Sequence, residues 1–226
     1  MFYEPSKGNH SLRFNPFKSI AVPRPIGWIT TLDLEGRVNL APYSQFQNLG
    51  ADPPYVMFSA SGSNDSPRNA QDTGEFVCNM ATYDLREAVN ITSARYEHGV
   101  EEHEKAELDL IPSQLVKAPR VAACPIHMEC RYHCSMVLPG RRAGASNVVV
   151  VGEVIGIHVK DEFIGPDGKI DIVKIRPLSR VGYHDYTTID QVFTMSPPPS
   201  EGGVLDRGLE GAPQTGAVKN LKLNID

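Results

Sequence analysis

Ser59, Ser61, Ser63, Asn64 and Ser66 fall within eight residues, directly ahead of Pro67 and Arg68. Small hydroxyl and amide side chains at this spacing offer closely set hydrogen-bond donors. A serine followed by proline has the pattern of a helix cap and first helical residue. The free N–H groups and positive dipole end of the helix that follows favour an anion, so the run reads as a seat for a phosphate, with Arg68 adding charge. Serine-rich turns also precede helices that bind nothing, because the same hydroxyls satisfy the backbone. A second segment, Pro42-Tyr43-Ser44-Gln45-Phe46-Gln47-Asn48, sets amides and a hydroxyl between two aromatic rings. It suits a flat polar heterocycle, and equally a strand-edge loop whose side chains serve its own backbone. Arg24, between Pro23 and Pro25 on a stiff extended stretch, is either a further anion contact or a surface arginine. Late in the chain Arg180, Tyr183, His184 and Tyr186 surround Gly182 outside any core period and read as a second lip of a pocket.

The elements that must position these groups are mainly strands. Residues 26–32, 38–41 and 55–60 are rich in β-branched and aromatic residues and punctuated by Asp, Gly and Pro. Asp33-Leu34-Glu35-Gly36 joins the first two as an antiparallel hairpin, with Gly36 free to take positive φ. Alternation puts Trp28, the single tryptophan, on one face with Ile26 and Thr30, opposite Ile29 and Thr31; one face is expected in the core and the other as a wall. A helix is predicted from Ser66-Pro67 to Thr73-Gly74, then a strand over 76–81, then a helix capped by Thr82 that carries Leu85, Ala88, Val89 and Thr92 on one face. The longest strands, 126–138 and 147–159, flank a hairpin at Pro139-Gly140-Arg141-Arg142-Ala143-Gly144. The valines at 148–151 are apolar on both faces, which calls for cover by the core on one side and by a helix or a second subunit on the other; Gly152 and Gly156 relieve crowding or allow bending. Asn15-Pro16 opens a short turn behind an arm of residues 1–14. Residues 111–120 read as a proline-rich surface loop, and a short last strand is expected over 172–175.

Composition limits what these groups can serve. The 226 residues, 41% hydrophobic and 22% charged, are enough to bury a sizeable core without staples. A formal net charge of -5 argues against a general binder of nucleic acid or anionic membrane, so the ligand is expected to be small. The absence of a long apolar run or a signal-like start points to a cytoplasmic protein whose four cysteines are reduced. No metal site is expected. His98-Gly99-Val100-Glu101-Glu102-His103 lacks zinc-helix spacing and reads as a solvated helical face. On a strand, Cys130 and Cys134 share one face about 13 Å apart, with His127 and His133 on the other. There is no G-x-G-x-x-G unit, and residues 195–226 read as a Pro- and Gly-rich arm behind a domain of residues 1–194.

The stretches PRPIGWITTLDLEGRVNLAPYSQFQ, DPPYVMFS, SNDSPRNAQDTGEFVCN and PLSRVGYHDY, in that order, resemble the flavin reductase-like, FMN-binding split-barrel family. The resemblance implies a mainly β fold, a Greek-key split β-barrel with a few peripheral α-helices, paired as a homodimer around FMN. By position, Trp28, Thr30, Pro42, Tyr43, Ser44 and Gln45 would border the isoalloxazine. Ser59, Ser61, Asn64, Asp65 and Ser66, with Arg68, would border the ribityl phosphate. Arg180, Tyr183, His184 and Tyr186 would meet the substrate. Similar proteins often carry Lys-Asp-Thr where this chain has Asn64-Asp65-Ser66, so a phosphate would lose a point charge unless Arg68 or Arg24 replaces it. The implied activity is flavin reduction by hydride transfer from NADH or NADPH, with electrons passing to oxygen, free flavin or a partner oxygenase, and no catalytic side chain singled out. The alternatives are an FMN-binding electron-transfer or flavin-storage protein, and a barrel that has lost its cofactor.

Overall fold

The computed structural model describes residues 1–195. Met1–Val192 pack as one compact unit; Phe193–Asp226 fall in a second, of which residues 193–195 are described. Beyond Met195 the expected arm lies outside the described residues. In chain order the elements are β1 (Arg24–Pro25), β2 (Gly27–Leu32), β3 (Val38–Tyr43), β4 (Phe46–Ala51), β5 (Pro54–Ser61), α1 (Asp65–Thr73), β6 (Glu75–Met80), α2 (Arg86–Ile91) and α3 (Glu102–Lys105). They continue with β7 (Leu110–Ile111), β8 (Arg120–Val121), β9 (Ile126–Pro139), β10 (Ser146–Val159), α4 (Ile172–Ile175), β11 (Ser179–Gly182) and β12 (Asp185–Thr187). Short 3-10 turns stand at Pro16–Ser19, where the Asn15 side chain caps the Phe17 N–H as its sequence suggests, and at Asp161–Phe163.

Seven antiparallel strands form one sheet in the order β3-β2-β6-β9-β10-β5-β4. Its edge strands, β3 and β4, are joined through Ser44 and Gln45 but do not pair, which leaves a mainly β split barrel with helices outside it. The interior is filled from the inward faces by Ile29, Tyr43, Phe58, Phe76, Cys130 and Val150, among others. Gly152 is needed there: a Cβ would stand 2.4 Å from the Phe76 ring. A small sheet, β1-β11-β12, flanks the barrel, and β7 pairs with β8.

The predicted β2–β3 hairpin forms, and Gly36 closes its turn at φ 83°. Its outer face differs from expectation. Residues 27–31 are buried on both sides, and Trp28 joins Ile26, Leu40, Val89, Val121 and Leu178 in a second core beneath α2. Trp28 is therefore enclosed, and truncating so large a buried side chain costs about 3–5 kcal/mol.

Five other expectations are corrected. The segment 42–48 is a loop only at Ser44 and Gln45: β3 runs through Pro42, which an edge strand tolerates because one side needs no ladder donor, and β4 begins at Phe46. Helix α1 starts at Asp65 with Asn64 in the cap position, because the Ser66 hydroxyl turns inward to accept from Asn39 Nδ2 (2.8 Å) and Tyr43 Oη (2.9 Å). Thr82 does not cap α2; it bridges to Pro177, and a turn over 82–85 delays the helix to Arg86. Residues 172–175 form one turn of helix rather than a strand, since Asp171 caps the Lys174 N–H at 2.9 Å and this local bond outweighs β-branched propensity. A bulge between Tyr132 and Cys134 breaks the two-residue period, so Cys130 is buried and Cys134 exposed.

The 111–120 region contains the β7–β8 pair, and the loop between these strands is bound to the barrel by two carboxylates. Glu129 accepts from the N–H groups of Gln114, Leu115 and Val116, and from His158 Nε2 at 2.5 Å; Glu75 accepts from Lys117 and Ala118. Burial would raise the Glu129 carboxyl, but these donors together hold it below the usual range. Among the described residues, no helix is long and apolar enough to cross a membrane.

Candidate functional site

A cleft of about 270 Å³ opens between the end of β3, the first turn of α1 and the segment that follows α2. Pro42 and Tyr43 line one wall; Ser61, Ser63, Asn64 and Asp65 bring in the start of α1. The local chemistry of this turn favours an anion. Asn64 occupies the cap position, yet its Oδ1 accepts from Ser61 Oγ (2.7 Å) and makes no side-chain cap bond, so among the described residues the first-turn N–H groups carry no side-chain acceptor.

Thr92-Ser93-Ala94-Arg95-Tyr96 forms the opposite wall, which the sequence reading missed. Two hydroxyls, an arginine and a tyrosine in one short run behind an amphipathic helix were the available signal. Among the described residues Arg95 makes neither an ion pair nor a side-chain hydrogen bond, whereas the other arginines considered for the anion are engaged elsewhere. Arg68 donates to Asp65 Oδ1 at 2.5 Å, and Arg24 donates to the carbonyls of Lys18 (2.6 Å) and Ala21 (3.1 Å). His98 lies 3.3 Å from the other Asp65 oxygen and 3.2 Å from both Arg37 and Arg68. Asp65 is thereby compensated, which reduces its repulsion of an anion in the cleft.

Other predicted residues take different places. Trp28 and Thr30 are fully buried and do not line the cleft; Trp28 acts from behind it, its Nε1–H donating to Thr92 Oγ1 at 2.9 Å, and Thr30 accepts from Asn79 at 2.7 Å. Ser66 is an internal hub at the root of α1. Ser44, Gln45 and Ser59 stand just outside the cleft at the β3–β4 junction, where the Ser59 N–H donates to the Gln45 carbonyl at 2.8 Å.

Burial pushes the Glu102 carboxyl, at the cleft floor, above its ordinary range, with the Leu40 N–H opposing at 2.9 Å from Oε2. Burial likewise raises the Tyr43 hydroxyl, against its bond to Ser66. Next to Glu102, Glu101, His103 and Glu104 approach one another within 4.8 Å, but Glu101 already accepts the Val38 N–H at 2.6 Å.

The late cluster does not reach this cleft. Arg180, Tyr183, His184 and Tyr186 belong to the β11–β12 hairpin; Arg180 stacks on the Tyr186 ring and donates to its hydroxyl and to the Tyr183 carbonyl. Tyr183, at φ 48°, packs on Phe14, His184 is exposed at the tip, and Tyr186 faces a separate cavity.

A family model described as flavin reductase like domain matches residues 19–170. An uncharacterized protein of Aquifex aeolicus is 33% identical over 168 residues, covering 72% of this chain and 83% of its own. Among solved structures, nitrilotriacetate monooxygenase component B from Bacillus cereus superposes with a TM-score of 0.80 at 28% identity, over 86% of this chain and 98% of that one. The 2-nitrobenzoate 2-nitroreductase of Pseudomonas fluorescens does so with a TM-score of 0.75 at 26% identity, over 89% and 100%.

Proposed function

This chain belongs to the flavin reductase-like family of FMN-binding oxidoreductases, and from that premise we propose that it reduces its FMN with NADH or NADPH and passes the electrons to oxygen, free flavin or a partner oxygenase. FMN supplies the redox chemistry: a flat ring that takes a hydride at N5 and gives electrons up singly or in pairs. The side chains bind and orient.

The N–H groups at the start of α1, the hydroxyls of Ser61 and Ser63, and Arg95 hold the phosphate. Arg95 supplies from across the cleft the charge that Asn64 lacks. Pro42 and Tyr43 border the flavin, with Ser44, Gln45 and Ser59 at the outer junction beside it. Trp28 steadies the far wall through Thr92. Hydride transfer needs a stacked donor and a water-poor face, and no side chain serves as nucleophile. The observation that carries the reading is the uncompensated Arg95 guanidinium sharing one cleft with the uncapped start of α1.

An oxygenase partner is supported by the likeness to a monooxygenase component B, and direct reduction of a small substrate by the likeness to a nitroreductase. A homodimer is supported by the exposed Met136, Val137 and Leu138 near the β9–β10 turn and Leu49 on edge strand β4. The four free cysteines suit the reducing cytoplasm. The decisive experiment is an absorption spectrum of the purified protein followed by anaerobic titration with each nicotinamide. Flavin absorbance bleached by NADH or NADPH is expected. A flavin that only dithionite reduces would replace the reductase reading with an electron relay, and a protein unable to bind added FMN would end both.

A further inference from the structure

A second cavity, of about 490 Å³, opens between α2 and the β11–β12 hairpin and shares no lining residue with the flavin cleft. Its volume lies in the range of about 300–1,000 Å³ usual for small-molecule sites. Tyr83 stands on its wall, and the guanidinium groups of Arg86 and Arg176 both lie over the Tyr83 ring, 4.2 and 4.1 Å from its centroid. Backbone contacts hold this group together: the Tyr83 N–H donates to the Arg176 carbonyl at 2.9 Å, Thr82 bridges to Pro177, and the Leu178 N–H donates to Ala81 at 2.9 Å. Arg176 sits at the end of α4 with φ 54°, a position glycine fills at least cost. An arginine there keeps a guanidinium on the ring in spite of the strained backbone.

Two cations on one ring repel each other, and the acids at hand neutralise them poorly. Asp190 Oδ1 is 4.0 Å from Arg176 Nε and its side chain is 74% exposed; Glu87 Oε1 is 3.6 Å from Arg86 Nε and 80% exposed. Arg86 donates to the Tyr83 carbonyl at 2.9 Å, while among the described residues the Arg176 side chain makes no hydrogen bond. Val89, Leu178 and the Tyr186 ring add an apolar wall, and among the described residues the Thr188 hydroxyl on the rim has no hydrogen-bond partner.

We propose that this cavity is a second binding site that takes a small organic anion, a carboxylate or phosphate held by Arg86 and Arg176 on a flat ring that rests against Val89, Leu178 and Tyr186. The site does not depend on how the flavin is reduced. A nucleoside monophosphate and an aromatic carboxylate share this chemistry, and the probes separate them. The full-length protein, loaded with FMN so that the flavin cleft is filled, is titrated calorimetrically with adenosine monophosphate, benzoate and inorganic phosphate in parallel.

Saturable binding of adenosine monophosphate or of benzoate, tighter than that of inorganic phosphate, is expected. Arg176→Gly and Arg86→Gln each weaken that binding about tenfold or more, the scale of a lost charge-assisted hydrogen bond. Arg176→Gly leaves the melting temperature at or above that of the parent, because glycine accepts the local backbone, and both variants keep their FMN affinity. The proposal is overturned if neither organic probe saturates below about 10 mM. It is overturned equally if inorganic phosphate binds as well as they do, or if both variants bind like the parent protein.

Discussion

The cleft proposed for the flavin and the Tyr83 cavity both present donors suited to an anion, but of different kinds. In the first, the donors are mostly backbone, the N–H groups at the start of α1, with Arg95 on the opposite wall, where among the described residues it makes no ion pair. In the second, the donors are two long side chains laid over one ring, with their acids at arm's length. Backbone donors are fixed once the helix forms, so the first site is built by local structure and needs one charge from afar. Side-chain donors must be brought together by the fold, and here the backbone bond between Tyr83 and Arg176 does so.

The largest expected effect separates the two sites. Arg95→Ala raises the FMN dissociation constant about tenfold to hundredfold, the range for one charge-assisted hydrogen bond, while Arg176→Gly leaves it unchanged. Flavin fluorescence titration measures both; equal losses would erase the distinction between the cavities. Next comes Trp28→Phe, which removes the indole N–H from Thr92. The variant should lose about 1–2 kcal/mol in urea unfolding and bind FMN a few-fold more weakly, with the Tyr83 cavity unaffected. A Trp28→Phe protein with parental FMN affinity would show that the core behind the cleft does not position it.

A pH series probes stability away from both cavities. Burial holds His127 neutral, its pKa lowered to about 4 from 6.5, although its ring nitrogen Nε2 lies 2.8 Å from the Val121 carbonyl. Between those values the unfolded chain binds the proton and the folded one does not, so stability falls as pH drops from about 6.5 to about 4. His127→Gln should flatten thermal melting over that window and leave both ligand sites alone. The smallest effect concerns Glu102, which when ionised opposes a phosphate in the cleft. Glu102→Gln should tighten FMN about two- to threefold near pH 8, and the gain should shrink towards pH 5 as the parental carboxyl takes up its proton.

Much of the fold was readable locally. The β2–β3 hairpin, the end of α1 at Gly74 and the long β9–β10 pair all rest on turn residues and a two-residue alternation acting over a few positions. Asn64, Asp65 and Ser61 do line the cleft at the start of α1, and that helix start was readable because a polar run before Pro67 marks one whatever surrounds it. Residues 172–175 were misread because β-branched propensity is weaker than one good cap bond from Asp171. Arg95 escaped because nothing in its neighbourhood tells an arginine over a cleft from one in solvent. The lip expected around Gly182 exists as a hairpin, but it borders the other cavity.

Taken alone, the sequence determined the run of strands and the anion-favouring start of α1, since these follow from residue spacing and backbone preference within short windows; the split barrel was implied only by the family resemblance that the ordered motifs carry. Only the tertiary structure decided that Trp28 lies behind the site, that Ser66 turns inward, that Arg95 faces α1 and that Arg176 meets Arg86 on one ring. Each of those depends on which distant segment covers which face, and no local period encodes that choice.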